Sequence, residues 1–408
     1  MKSDTKKPVY LRRQRWEESS IWQKKMLLVE ATGELTERCN FNCLHCYINQ
    51  PAGDQGIKQK ELTTAEWLDF LREVVELGCL TVRFTGGEPL LREDFAELYT
   101  FSRRLGLKVG LSTNGSLITS RLARLWAKIP PLEKIEITLY GLDANSYEKI
   151  TRVKGSWEAV QQGIAYLKEN RIPFIIKGAM LPPIIERLKE FKKKAQQLAS
   201  MDFPPAMVFA LDLRARRDSP EKNQEIVKLR LSPQEYTRLM AQEEELYYQT
   251  MNEFCSKFLG PPGTKLFTCE AGREAVALDA YGQLQPCLLL RHPKTIYPWR
   301  TKRNLGQALK QLFPSLLQRE ATNPAYLARC ARCFLAGLCE QCPARSWMEH
   351  GSLDTPIDYY CRVTHEQARS LGLIKDKEKG WMVKDWPERL KRWQQAMATK
   401  LKKKGIIE

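Results

Sequence analysis

Three cysteines stand close together where an apolar run ends, in the stretch Cys39-Asn-Phe-Asn-Cys43-Leu-His-Cys46-Tyr47 of the 408-residue chain. Spaced three and then two residues apart, they can wrap one loop around an inorganic cluster. A cube of four irons takes four ligands, so three thiolates leave one iron open to an outside donor. The amine and carboxylate of an amino acid can chelate such an iron. Downstream, Gly86-Gly87-Glu88-Pro89 suits that guest, because glycines let a backbone approach closely and Glu88 can accept hydrogen bonds from an ammonium. The competing chemistry is a zinc site, which needs a fourth ligand. His45, wedged between Leu44 and Cys46, is sterically poor for that role.

A second cysteine set lies further on. Cys255 comes first, and Cys269 is followed after twelve residues by Gly282 and after four more by Cys287. Then come Cys330-x2-Cys333-x5-Cys339-x2-Cys342 and, last, Cys361. These eight thiolates are enough to saturate two further cubes, although Cys-x2-Cys pairs serve zinc ribbons equally well. Of the twelve cysteines only Cys79 stands outside both sets, and before a strand it reads as a small buried apolar residue.

The elements that must position these residues alternate regularly. Strands are expected at 26–35, 80–85, 108–112, 134–139, 174–180 and 206–213. Helices between them are expected near 63–77, opened by the capping box Thr63-Thr-Ala-Glu66, and near 93–105, 119–127, 157–170 and 184–200. Six strands alternating with helices predict an α/β fold with a parallel sheet and right-handed crossovers. The motifs follow strand ends, which puts the chemistry at the C-terminal rim, as in barrels; an open doubly wound sheet would alternate in the same way. A helix is expected over 232–251 behind Ser232-Pro233. From Cys255 to Cys361 the chain reads as loops with short strand pieces such as Ala275–Leu278, and bound metal would supply the missing stability. A basic tail is expected to be helical from Trp386 to Lys403. The division is therefore a lead-in at 1–26, a barrel at 27–225, a connecting helix at 226–254, a cysteine-rich domain at 255–365 and a helical tail at 366–408.

Composition is that of a soluble globular protein, with no apolar run long enough to span a membrane and no apolar N-terminal signal segment, so cytoplasm is expected. In that reducing compartment clustered cysteines read as metal ligands or catalysts rather than disulfides. The net charge of +17 is spread, with concentrations at Lys189–Lys194, Arg214–Arg217 and Lys400–Lys404. No nucleic-acid module accompanies it, and solvated faces or attraction of an acidic partner such as a peptide are the readings kept.

The Cys-x3-Cys-x2-Cys loop after strand one, with Gly-Gly-Glu-Pro after strand two, resembles the radical S-adenosylmethionine (SAM) enzymes. The resemblance implies a partial (β/α)6 barrel in which Cys39, Cys43 and Cys46 bind a [4Fe–4S] cluster whose unique iron chelates SAM. It implies that Glu88 receives the amine within the Gly86, Gly87 and Pro89 turn, and that His45 and the Tyr47 backbone lie near the adenine. Ser112, Thr113, Asn114 and Thr138 match the family's contacts to ribose and carboxylate, and Arg152 its carboxylate-binding arginine. One electron passed into the sulfonium would release methionine and a 5′-deoxyadenosyl radical, which takes hydrogen from substrate. The second cysteine set resembles the auxiliary-cluster (SPASM) domain, with a last internal gap one residue shorter than usual. That implies one auxiliary [4Fe–4S] cluster on Cys255, Cys269, Cys287 and Cys342 and another on Cys330, Cys333, Cys339 and Cys361. Both would serve electron transfer unless a missing ligand opens an iron to substrate.

Enzymes with this pairing mostly modify peptides or proteins, so a ribosomally made precursor peptide is the leading substrate class, matured by crosslinking, oxidation or epimerisation. Only 38 residues precede Cys39, leaving no room for the family's leader-binding domain, so a separate leader-binding protein, or none, is expected. A low-potential donor such as flavodoxin or ferredoxin would supply electrons. Arg214, Arg216 or Arg217 could hold a substrate carboxylate at the barrel mouth. Two other readings stay open: an enzyme acting on a small cofactor such as a tetrapyrrole, whose propionates the arginines would bind, and a non-catalytic iron–sulfur or zinc scaffold.

Overall fold

The computed structural model describes residues 28–242, 244–269 and 271–403, so the expected lead-in at 1–26, the first residues of strand one and Lys404 lie outside them. Six short segments form the strands β1 Glu30–Glu34, β2 Thr81–Thr85, β3 Lys108–Thr113, β4 Leu132–Thr138, β5 Phe174–Ala179 and β6 Ala206–Val208. They neighbour one another in chain order and every pairing is parallel. Parallel neighbours need crossovers. The helices α1 Thr64–Glu76, α2 Phe95–Arg104, α3 Ser120–Lys128, α4 Ala144–Thr151, α5 Ser156–Glu169 and α6 Leu188–Ala199 provide them. This is the partial (β/α)6 barrel that the alternation and the motifs predicted.

Each strand divides its side chains between two environments, because successive residues point to opposite faces. Val82, Phe84, Val109, Leu111, Ile135, Ile137 and Ile176 are buried, with Phe84 against Phe95 of α2. Helix α1 answers with Trp67, Phe70, Leu71 and Val74, one stripe at helical spacing, behind the expected Thr63–Glu66 capping box. The opposite face lines the barrel lumen and is polar. There Glu136 accepts from Ser112 Oγ (2.8 Å) and pairs with Lys177 (2.6 Å) and Arg83 (3.1 Å).

After β6 come α7 Pro220–Leu229, α8 Pro233–Met240 and α9 Glu244–Phe258. The strand β7 Ala275–Leu278 then pairs in parallel with the free edge of β1. Antiparallel β8 Gln283–Gln285 and β9 Tyr297–Pro298 extend the sheet to nine strands. Helices α10 Pro343–His350, α11 Asp358–Ser370 and α12 Trp386–Lys403 follow.

Three expectations need correction. Strand six stops at Val208, because Leu211, Leu213 and Ala215 are buried by packing on Ile48, Ile150 and Met348 without joining the ladder. The single helix at 232–251 is two, α8 and α9, the second running on to Phe258. The cysteine-rich stretch is less loop-like than expected, since it contains α10 and several short helical turns. Helix α12 has the expected bounds and packs on α9 and the cysteine-rich region, burying Trp393 beside Leu371 and Leu390. Cys79 is the buried residue expected, its thiol directed at the Thr81 carbonyl (3.2 Å). Removing the fully buried Trp67 leaves a large void beneath the sheet; Trp67→Ala should cost about 3–5 kcal/mol, read from the urea midpoint of unfolding.

Candidate functional site

The chain leaves β1 through Leu35–Arg38 and enters the cysteine loop under restraint. The buried Arg38 guanidinium donates to Glu61 at 2.9 and 3.1 Å and to the Ala52 carbonyl at 3.0 Å. Asn42 and Leu44 donate their N–H groups to the carbonyls of Thr151 and Ile150, each at 3.0 Å, which ties the loop to the end of α4. From behind, Lys222 Nζ reaches the Cys43 carbonyl (2.9 Å) and Ala215 N–H the Tyr47 carbonyl (3.0 Å). Cys39 Sγ accepts from Phe41 N–H at 3.3 Å and lies 3.8 Å from the Asn114 amide. Burial pushes the Cys39 thiol up to about 12, and the Glu88 charge adds to it. Burial also raises Cys43, with Cys46 and Cys39 contributing. Thiols held this way become thiolates when a metal takes the proton's place, and all three are free of disulfides.

The Gly86-Gly87-Glu88-Pro89 turn sits directly on the entry to this loop. Gly87 N–H donates to the Thr36 carbonyl (2.7 Å) and Glu88 N–H to the Arg38 carbonyl (2.9 Å). A Cβ at Gly86, whose φ is +144°, would stand 2.2 Å from the Thr36 oxygen, and one at Gly87 2.3 Å from the Arg38 oxygen. The glycines are therefore required by protein backbone. Glu88 is fully buried and accepts from Thr113 Oγ1 (2.7 Å), Asn114 N–H (2.8 Å) and Leu90 N–H (3.0 Å). Burial outweighs those bonds and holds its carboxyl up at about 7. Pro89 is buried at the start of a short turn, and the Asn114 amide bridges to Asn40 (2.9 Å). Cys39, Glu88, Thr113 and Asn114 thus form one cluster at the ends of β1, β2 and β3.

The other sequence-derived residues surround it. His45 lies edge-on to Tyr140 at 4.6 Å between ring centres; burial, then Lys222, lowers it to about 4, so the imidazole is neutral. Burial raises the Tyr47 phenol. Thr138 ends β4, two residues before Tyr140. Ser112 turns to Glu136 in the lumen, and Arg152, the left-handed residue ending α4, pairs with Glu225 at 2.9 Å. The arginines expected at the mouth are all engaged within the protein. Arg214 holds Asp218 (2.8 Å) and the Asn49 carbonyl (3.2 Å), and Arg216 holds Glu37 and Asp279, each at 2.7 Å. Arg217 donates to the carbonyls of Trp347 and Met348. Sequence reasoning missed Lys222 and the lumen set Arg83, Glu136 and Lys177. Charged residues alternating with buried aliphatics in Ile135-Glu136-Ile137 were the available signal, since strands covered on both faces usually read as unbroken apolar runs.

The later cysteines fall into two groups and an outlier. Cys330, Cys333, Cys339 and Cys361 lie together: burial raises the first three thiols and charges within the set raise them further. Cys287 is raised to about 12 by burial and then by Cys342 and Cys269. Cys255, the outlier in charge coupling, is buried in the apolar cluster around α9 with Tyr247, Leu259, Phe334 and Leu335, a cluster that also takes in Cys333. Among the described residues no three His, Cys, Asp or Glu side chains close on one point as a single ion requires.

A profile of the radical SAM superfamily matches residues 34–195. Residues 34–195 therefore carry a radical SAM domain. It is 24% identical over 339 residues to an AdoMet-dependent heme synthase of Methanosarcina barkeri, covering 78% of this chain and 92% of that one. A probable GTP 3′,8-cyclase of Methanosarcina mazei is 27% identical over 274 residues, covering 63% and 76%. Among solved structures, native anSMEcpe with bound AdoMet aligns with a TM-score of 0.61 at 16% identity, over 90% of this chain and 100% of that one. Streptococcus suis SuiB bound to precursor peptide SuiA aligns with a TM-score of 0.57 at 16% identity, over 87% and 82%. No helix among the described residues is long and apolar enough to cross a membrane.

Two outcomes follow from this packing. Gly87→Ala forces the turn off the cysteine loop; it should destabilise the protein by about 1–3 kcal/mol and lower iron bound on anaerobic reconstitution, measured by denaturation and iron assay. Glu88, held above its unfolded value, keeps its proton in the folded state while the unfolded chain loses it between pH 4.5 and 7. Its contribution is complete below pH 4.5 and is lost as pH rises through about 7. Urea titrations of the metal-free protein should show Glu88→Gln abolishing about 3 kcal/mol of that decline.

Proposed function

We propose that this radical SAM protein reductively cleaves SAM and abstracts hydrogen from a ribosomally made precursor peptide, maturing it by crosslinking, oxidation or epimerisation. The observation that carries the enzymatic part is the meeting of Cys39, Glu88, Thr113 and Asn114 at three adjacent strand ends. Soft thiolates from one loop suit an iron–sulfur cluster, and Cys39, Cys43 and Cys46 would hold it. When bound, cluster and SAM supply a 5′-deoxyadenosyl radical. Glu88 offers about four acceptor positions on its two oxygens and has three donors from the protein. One position is left for the SAM ammonium. Gly86, Gly87 and Pro89 fix that carboxylate, while Ser112, Thr113, Asn114, Thr138, His45, the Tyr47 backbone and Arg152 would surround the nucleotide. The neutral, buried His45 fits an uncharged heterocycle.

The two later cysteine groups would hold auxiliary clusters. Zinc is the less favoured guest for them, because the thiolate loop at Cys39, Cys43 and Cys46 already sets an iron–sulfur context. For the substrate, the internal engagement of Arg214, Arg216 and Arg217 removes the cations that a propionate-bearing cofactor would use. An acidic peptide is compatible with the +17 chain. A flavodoxin or ferredoxin would donate electrons, a separate leader-binding protein would present the peptide, and the cytoplasm is the setting. A second reading, a tetrapyrrole decarboxylase or dehydrogenase, is favoured by the heme synthase relative that the chain covers over 92% of its length.

Anaerobic reconstitution with SAM and a low-potential reductant tests both readings. 5′-Deoxyadenosine should form with the intact protein and fall to background in Cys39→Ala. With a candidate precursor peptide, mass spectrometry should show loss of two hydrogens, or an inverted residue at unchanged mass. Loss of carbon dioxide from a tetrapyrrole would establish the second reading instead. A purified protein containing zinc and producing no nucleoside would remove both.

A further inference from the structure

Resting on the reading of Cys330, Cys333, Cys339 and Cys361 as ligands of one auxiliary cluster, we infer that Arg329 raises that cluster's reduction potential. It is a positioning residue for electron transfer, acting through a charged N–H···S bond to Cys361, with Trp381 holding the guanidinium in place. Hydrogen bonds to ligand sulfurs raise the potential of an iron–sulfur cluster, because electron uptake adds one negative charge there. A cationic donor acts more strongly than a neutral one. The electron comes from the low-potential carrier, flavodoxin or ferredoxin, which is oxidised by one electron.

Arg329 ends the short helix Pro324–Ala328, its N–H bonded to the carbonyls of Ala325 and Tyr326 at 3.1 and 3.2 Å. Cys330 follows at once, so the arginine stem starts beside the first ligand of the group. Its Nη2 donates to Cys361 Sγ at 3.7 Å, within reach of a large sulfur acceptor, and to Asp358 Oδ1 at 2.9 Å. Asp358 and Cys361 share the start of α11, which lets one guanidinium span both. The two acceptors differ in setting. The Asp358 side chain is 76% exposed, where water and salt screen its charge, while Cys361 is half-buried. Arg329 Nε is buried without a hydrogen-bond partner, a cost that a freely solvated side chain would avoid.

A strap from the tail fixes this arrangement. Gly380 N–H donates to His365 Nε2 (3.0 Å), and the Gly380 carbonyl accepts from Phe334 N–H (3.4 Å). A Cβ at Gly380 would stand 2.6 Å from Cys333 Sγ, so the strap lies directly on the ligand group. Trp381 then stands edge-on to His365, 5.2 Å between ring centres, and carries the Arg329 guanidinium 5.2 Å from its own ring centre. Because Nε2 accepts, His365 keeps its proton on Nδ1 and donates it to the Cys361 carbonyl at 2.7 Å. The imidazole is therefore neutral. So are the other nitrogen donors that reach a cysteine sulfur among the described residues: Phe41 N–H, the Asn114 amide and Arg345 N–H. Arg329 alone among them brings charge to a sulfur.

The test uses the full chain carrying Cys39→Ala, Cys43→Ala and Cys46→Ala, which leaves only auxiliary clusters, reconstituted anaerobically with iron and sulfide. Dithionite titration followed by electron paramagnetic resonance reads the midpoint of each cluster. Adding Arg329→Gln should keep the iron and lower one midpoint by about 59 mV or more, a tenfold loss in electron uptake, with the other unmoved. Arg329→Lys, which keeps the charge but not the planar fork, should restore part of the loss. Trp381→Leu should lower the same midpoint, and Asp358→Asn should raise it. Arg332→Gln removes an equal charge from an exposed neighbour and should move neither. Unchanged midpoints in Arg329→Gln, or an equal fall in Arg332→Gln, overturn the inference while leaving the clusters in place. If Arg329→Gln loses its iron, Asp358→Asn decides, and a midpoint that does not rise there overturns the inference. A parent chain that binds no iron overturns the cluster reading itself.

Discussion

Two backbone hydrogen bonds set the positions of everything else in the site: Gly87 N–H to the Thr36 carbonyl and Glu88 N–H to the Arg38 carbonyl. They draw the turn after β2 against the entry to the cysteine loop so tightly that no side chain fits at either glycine. With the turn fixed, the Glu88 carboxylate has one place to go, under the end of β3, where Thr113 and Asn114 meet it. Asn114 then reaches back to Asn40 and Cys39. The circuit closes on itself, so loop, turn and strand end cannot move separately. A buried carboxyl surrounded by donors costs desolvation, and the donors offset much but not all of it, which is why Glu88 stays near neutrality in its proton affinity.

A second constraint fastens the cysteine-rich region to the barrel. Glu34 and Glu37 from the end of β1, and Asp279 after β7, share Arg291 and Arg216. Three carboxylates face two guanidiniums. Burial first, then the charges of Glu37 and Asp279 against the pull of Arg291, hold the Glu34 carboxyl up at about 7, and a proton there makes the set neutral. Such a network specifies the interface more than it stabilises it, because removing one partner strands a buried charge at about 3–5 kcal/mol. β7 adds its backbone ladder to the same edge of β1. The edge that a partial barrel would leave exposed is thereby covered.

Much of the barrel was legible because its signals are local. The aliphatic runs, the Thr63–Glu66 cap and the glycines after strands each state a conformation within a few residues. The expected strand at 206–213 failed because apolar residues there are buried by loop packing, and burial alone does not imply a ladder. Around the site, the residue types at Cys39, Cys43, Cys46 and Glu88 could be read from spacing. The reason for Gly86 and Gly87 could not, since it lies in the carbonyls of Thr36 and Arg38 some fifty residues upstream. The engagement of Arg214, Arg216 and Arg217 was invisible for the same cause: their partners, Asp218 apart, come from distant parts of the chain. The position of Cys255 belongs to this class too, because a count of eight thiolates carries no information about which side of a helix each occupies.

The lumen's charge balance bears on what can react there. Arg83 and Lys177 face Glu30 and Glu136, cation for anion, and against its own burial Glu136 is held below the ordinary carboxylate range by Arg83, then by Lys177 and Ser112. An anionic group entering there would compete with Glu136 for these cations, and a displaced Glu136 would stand unpaired, at the cost that attends any stranded charge. A peptide makes no such demand. Its amides can donate to the outer oxygens of Glu136 and accept from Lys177, whose side chain is still 38% exposed, without breaking either ion pair. The same four charges therefore leave the lumen internally paired, so that a neutral polar group can meet them without stranding a charge.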